Sequence, residues 1–154
     1  MIMMNEMTLA YWNQYWKDSE EHPPTDVEAF QFGDDANTLA ELVVSGKKTA
    51  TCSAHILYEI ENEPLPYVGQ YAIVLNAADR PVAIIQTTEV TIQAMNEVSE
   101  AFALAEGEGT YIEWWDIHER FFSELLYSYQ LSFAPNMNIV CERFTVVDRF
   151  NAKE

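Results

Sequence analysis

Basic residues are what this sequence has least of. Eight Lys and Arg stand against 25 Asp and Glu, a formal charge of −17. Duplex DNA, RNA and anionic membranes are bound largely through a basic footprint, so general affinity for any of them is not expected. A small ligand, or a nucleotide held in one locally positive pocket, is still compatible with that charge. Cysteine is nearly as scarce. Cys52 and Cys141 are too few for a disulfide scaffold and lack metal-ligand spacing, so a reduced protein without a metal or cofactor is expected. The opening residues Met1-Ile2-Met3-Met4-Asn5-Glu6 contain no basic region followed by an apolar run, and no apolar stretch approaches the ~20 residues of a membrane span. A cytoplasmic location with no membrane partner follows as an expectation. Internal repeats, linkers, low-complexity segments and a Gly-rich phosphate fingerprint are missing as well.

Apolar and aromatic bulk is what the chain does have. Of 154 residues 49% are hydrophobic, and four Trp, eight Tyr and eight Phe give one domain a sizeable core. Leu9, Trp12 and Trp16, with Tyr11 and Tyr15, recur at helical spacing between Asn5 and about Glu20, where Pro23-Pro24 closes the helix. Val27–Phe32 alternates as a strand. Asp34 or Asp35 can cap a second helix carrying Leu39, Leu42 and Val43. Thr49–Cys52 is rich in strand formers, and Ala54–Glu61 reads as a short helix. Gln70–Asn76 and Pro81–Ile92 form an antiparallel hairpin. Helices are expected over Asn96–Ala105 and Thr110–Tyr127, the latter with Ile112, Trp115, Phe122 and Leu126 on its buried stripe beside His118. Ile139–Phe150 alternates as the last strand. Mixed helices between strands, with a hairpin at the centre, point to a compact α+β barrel.

Chemistry-bearing residues concentrate in two places. Ser45-Gly46-Lys47-Lys48-Thr49-Ala50-Thr51-Cys52-Ser53 packs two lysines and several hydroxyls after a helix. A short basic, hydroxyl-rich turn can hold an anion or polarise a carbonyl, and a helix stop with a solvated turn is the plainer reading. Adjacent lysines point in different directions. A desolvated Lys48 can act as a base, and a threonine hydroxyl becomes a nucleophile only beside one. In the second place, Glu106-Gly107-Glu108-Gly109, two carboxylates flank a glycine at a helix break, either solvated or turned toward a cleft. His118, among Trp114, Trp115, Phe121 and Phe122, reads as a boundary residue with no partner at metal-ligand spacing.

Gly46-x-Lys48-x-x-Thr51 after a helix, the strand start Gly69-Gln70-Tyr71, and Glu106-Gly107-Glu108-Gly109 before a helix with Trp115, His118 and Phe121-Phe122 resemble the ASCH domain family of the PUA-like superfamily. The run Ala105–Gly109 followed by Trp115, His118 and Phe121-Phe122 looks like that family's longer bacterial subgroup. The resemblance implies a small mixed β-barrel surrounded by helices, α+β in class. It implies one domain over residues 1–154, with an N-terminal helical extension over 1–26 and a core over 27–150. It also implies a nucleoside, nucleotide or short-RNA ligand. One bacterial branch hydrolyses 4-acetylcytidine with a lysine, a threonine and a glutamate. Matched by motif, Lys48 is the proton acceptor, Thr51 the nucleophile and Glu108 the proton donor, with Glu106 its rival. Gly46, Lys47, Ser53, Glu106, Trp115 and His118 become the substrate-binding candidates. The family pattern often continues Thr-x-Arg, and Ser53 stands at the arginine position, removing a cation that would grip phosphate. The alternative to hydrolysis is a non-catalytic module binding RNA or a nucleotide through stacked aromatics and Lys47-Lys48. A third reading is an interaction domain whose exposed aromatics form a homodimer.

Overall fold

The computed structural model describes residues 4–33 and 35–150. Among the described residues five α-helices, α1 (Glu6–Trp16), α2 (Ala36–Val44), α3 (His55–Ile60), α4 (Glu100–Ala105) and α5 (Tyr111–Ser128), surround five strands. These are β1 (Glu28–Gln31), β2 (Ala50–Ala54), β3 (Tyr71–Leu75), β4 (Pro81–Ala94) and β5 (Asn138–Arg149). They form one sheet in the order β1-β3-β4-β5-β2, parallel only between β1 and β3. The long β4 and β5 are its spine. Register shifts at Ile84/Ile85 and Thr87/Glu89 leave one extra residue on β5, Val147, and one on β4, Thr88, and such extra residues bend and twist a strand. The sheet curls so far that its two edge strands, β1 and β2, line the same cleft. The expected small barrel is therefore an open, curled half-barrel.

Local chemistry explains the helix starts. Asn5, Asp35 and Ser99 each accept a backbone N–H three residues on, and Thr110 forms a reciprocal capping box with Glu113. Asp35 is thus the cap of α2, while Asp34, the other expected cap, lies outside the described residues. Three apolar clusters pin helices to sheet: α1 on β3 and β4 through Tyr11 and Trp12, α2 through Leu39 and Val43, and α4 and α5 through Phe102, Trp114 and Phe122. Among the described residues, no helix is long and apolar enough to cross a membrane.

Three expectations need correction. The helix expected from Asn96 is a 3-10 turn at Met95–Glu97, followed by α4 only after the Ser99 cap, because Val98 is extended. In α1, Leu9 is largely exposed and Thr8 takes its place inside. In α5 the buried stripe is Trp114, His118, Phe122 and Leu126, while Ile112 is 73% exposed. A helix turns about 100° per residue, so starting the stripe at Trp115 instead of Trp114 swings the face away from the sheet.

Candidate functional site

Gly46 does stop a helix, and in stopping it places Lys48. It adopts a positive φ of 83° after the α2 C-cap Ser45. Its N–H donates to the Val43 carbonyl and that of Lys47 to the Leu42 carbonyl, the paired bonds of a Schellman motif. The Lys48 N–H bonds the same Leu42 carbonyl, and the Thr49 N–H bonds the Ala105 carbonyl at 2.8 Å. These bonds stitch the turn to the end of α4. Gly107 permits the approach: a Cβ there would lie 2.8 Å from the Lys47 carbonyl oxygen, and its φ of +79° already favours glycine. Lys47 is exposed and Lys48 is 2% exposed, so the two lysines part as expected.

Lys48 Nζ meets three acceptors. It donates to the Ala50 carbonyl at 2.9 Å, to Glu106 Oε1 at 3.3 Å and to the Glu106 carbonyl, at the C-terminal end of α4, at 3.5 Å. The Phe32 ring centroid lies 5.0 Å away, within cation–π range. Glu106, 1% exposed, also accepts the Trp114 indole N–H on Oε2 at 2.7 Å and faces His118 Nε2 at 3.4 Å. Burial works to raise the Glu106 pKa. The His118 hydrogen bond, the Lys48 charge and the Trp114 N–H outweigh it and bring the carboxyl to about 2. His118 Nδ1 lies 2.7 Å from the Trp114 carbonyl, which can only accept, so Nδ1 carries a proton. Nε2 looks toward Glu106 and, at 3.8 Å, Glu108 Oε2. Burial opposes a charged imidazole, but these carboxylates prevail and raise its pKa.

Lys48, Thr51, Cys52, Glu106, Glu108 and His118 line one small pocket of about 70 Å3. It adjoins a cleft of about 540 Å3 between the sheet edges, and Phe32, Gly33, Thr51, Cys52 and Phe121 line both. Strand alternation predicts Lys48 and Thr51 on opposite sides, yet both reach the pocket because Lys48 lies in the turn before β2 begins at Ala50. Ser53 lines the cleft instead, its hydroxyl 2.8 Å from that of Tyr58. Gly46, Lys47 and Trp115 line neither cavity. Trp115 packs against the α4–α5 core, and its neighbour Trp114 is the indole that touches the site. The one-residue offset in the α5 stripe is the physical reason. No sequence signal pointed to Phe32 beneath Lys48 or to Glu142 in the cleft, since both depend on strand pairing.

Cys52, Glu106 and His118 bring ligand atoms within 4.8 Å of one another, a spacing a divalent metal can bridge. They fit such an ion poorly. The Lys48 ammonium already sits against Glu106, and burial and the Glu106 carboxylate push the Cys52 thiol well above its ordinary range, keeping it protonated. What the arrangement offers is a fixed cation and an imidazole held among carboxylates, beside a hydroxyl that opens on both cavities.

The sequence model of the ASCH domain matches residues 28–148. A protein of Enterococcus faecalis V583 is 46% identical and superposes with a TM-score of 0.84, over 94% of this chain and 90% of that one. An ASCH domain from Lactobacillus crispatus JV V101 is 34% identical with a TM-score of 0.88, over 94% and 96%. No curated protein matches the chain. The curled half-barrel, the turn that delivers Lys48 and Thr51 to one pocket, and these two relatives together place the chain in the ASCH domain family, to which it belongs.

Proposed function

We propose that this chain is a small-amide hydrolase acting on an acylated pyrimidine nucleoside such as 4-acetylcytidine. One observation carries the reading: Lys48, Thr51, Glu106, Glu108 and His118 share a pocket with room for little more than an acyl group, opening into a cleft of nucleoside size with aromatic walls. Thr51 Oγ attacks the acyl carbon while Lys48 Nζ takes its proton. Lys48 enters as the free amine and Glu108 as the neutral acid, the resting ammonium having passed one proton to the Glu108 carboxylate through solvent, so that Nζ has a lone pair for the Thr51 proton. Glu108 protonates the leaving nitrogen as the C–N bond breaks, leaving an acyl-threonine and a free amine. Water attacks that ester and gives its proton to Glu108, and Lys48 returns a proton to Thr51 Oγ as the acid departs. Glu106, pulled to a pKa of about 2, stays an anion throughout and orients Lys48 and His118.

Membership of the family is equally compatible with a module that binds RNA or a nucleotide. The cleft speaks against phosphate, because Glu28, Glu61, Glu63 and Glu142 line it and no Lys or Arg does among the described residues. Conversion of 4-acetylcytidine to cytidine and acetate, followed by chromatography, tests the reading. The native chain is expected to turn over, and Thr51→Ala to lose roughly a thousandfold or more in rate. Equal rates for the two chains refute it.

A further inference from the structure

Glu142 is a partly buried acid that the reaction above does not use. It pairs directly with Thr51 across the β2–β5 ladder, and both line the cleft. Directly opposed residues share a face, with Cβ atoms about 4.5–5.5 Å apart, so the Glu142 carboxyl and the Thr51 hydroxyl open on the same space. Thr87 Oγ1 donates to Glu142 Oε1 at a long 3.4 Å, and among the described residues that is the carboxyl's one hydrogen bond. The Ser53–Tyr58 hydroxyl pair and the Tyr71 and Phe144 rings share the cleft with it. Burial raises the Glu142 pKa, with the Thr87 bond opposing. Glu106, held at about 2, is the opposite case: an acid that is always charged and fully engaged. A half-buried carboxyl with one weak partner is expensive to keep unless something else completes its hydrogen bonding.

We infer that Glu142 is a specificity-determining residue whose carboxyl hydrogen-bonds a carbonyl oxygen or ring nitrogen in the amine half of the ligand, holding that ring beside Thr51. The inference rests on the hydrolase reading for the class of ligand. In its uncharged form the carboxyl donates from one oxygen and accepts from Thr87 on the other, a pattern that a glutamine amide reproduces in shape and polarity. Leucine fills similar space and reproduces neither.

Binding of 4-acetylcytidine, measured calorimetrically in the Thr51→Ala background, separates this from turnover. Glu142→Gln is expected to keep its affinity within about threefold. Glu142→Leu is expected to weaken binding roughly ten- to a hundredfold, the effect of stranding one buried polar atom of the ligand. It should also melt no lower than its parent, since it removes a poorly solvated acid. Equal affinities for the parent and Glu142→Leu overturn the inference, and so does a parent that binds no 4-acetylcytidine. A Glu142→Leu chain that melts lower or fails to fold assigns Glu142 to joining β4 and β5 through Thr87, and overturns it too. Binding that depends on Glu142, with no hydrolysis by the native chain, sinks the hydrolase reading and leaves this one standing.

Discussion

Lys48, Glu106 and His118 hold one another in the small pocket across 3.3 and 3.4 Å. On the other side of Thr51, the cleft carries Glu28, Glu61, Glu63 and Glu142 with no Lys or Arg in its lining among the described residues. The first region is a closed electrostatic unit: carbonyls, indole, imidazole, ammonium and carboxylate satisfy each other without a ligand. The second is open, acidic and thinly hydrogen-bonded. Fixed dipoles and charges cost no reorganisation when charge develops in a reaction, whereas loosely engaged groups gain partners when a ligand arrives. On the proposed hydrolase reading, the first region is the place for chemistry and the second the place for recognition, with Thr51 at the boundary.

Cutting the closed unit should have the largest effect. Glu106→Leu leaves the Lys48 ammonium and the Trp114 N–H without their carboxylate, and removing one partner of a buried pair costs roughly 3–5 kcal/mol. In a chain of 154 residues the melting temperature should fall by roughly 10 °C, read by circular dichroism. Adding Lys48→Met should recover part of the loss. A single variant as stable as the native chain would erase the distinction between the regions.

The pH dependence of the same unit is the next smaller effect. Glu106 titrates at about 2 in the fold against an ordinary 4.5, so its contribution is present above 4.5 and is lost as pH falls toward 2. His118 is shifted upward from 6.5, so its contribution is complete below 6.5 and is lost as pH rises through the elevated value. The stability difference between the native chain and Glu106→Gln, from urea midpoints, should therefore peak between about 4.5 and 6.5. Taking the difference matters because acid also relieves the self-repulsion of a chain at −17. A flat difference would mean that the ions do not stabilise one another. The smallest effect belongs to the open region. Ser53→Ala removes only the bond to the Tyr58 hydroxyl, which solvent in the cleft can replace, and should cost less than about 1 kcal/mol in the same urea titration. A larger loss would show the cleft to be as tightly built as the pocket.

Elements with a local cause were legible. Asp35, one of the two acids expected to cap α2, does so, Pro23-Pro24 follows α1, and a turn between two apolar runs marked the β3–β4 hairpin. Errors arose where the fold overruled a local pattern. In α5, Trp114 and Trp115 are equally apolar, and only the hydrogen bond to Glu106 and the packing on β2 and β5 decide which faces inward. Glu106 and Glu108 are likewise equivalent on paper. The positive φ at Gly107 separates the two: Glu106 lies against Lys48 and His118, at 3.3 and 3.4 Å, and Glu108 lines the same pocket 3.8 Å from His118.

The order of residues by itself determined that a glycine would end a helix just before Lys48 and Thr51, because capping and turn chemistry act within a few residues. It also determined that an acidic glycine loop would precede an aromatic helix. Only the tertiary structure decided that the Lys48 and Thr51 side chains share one pocket, that the loop closes on the turn, that Glu142 faces Thr51, and that the sheet edges leave a cleft between them. Those outcomes depend on strand register, on bulges in β4 and β5 and on one close backbone approach at Gly107, contacts between residues tens of positions apart.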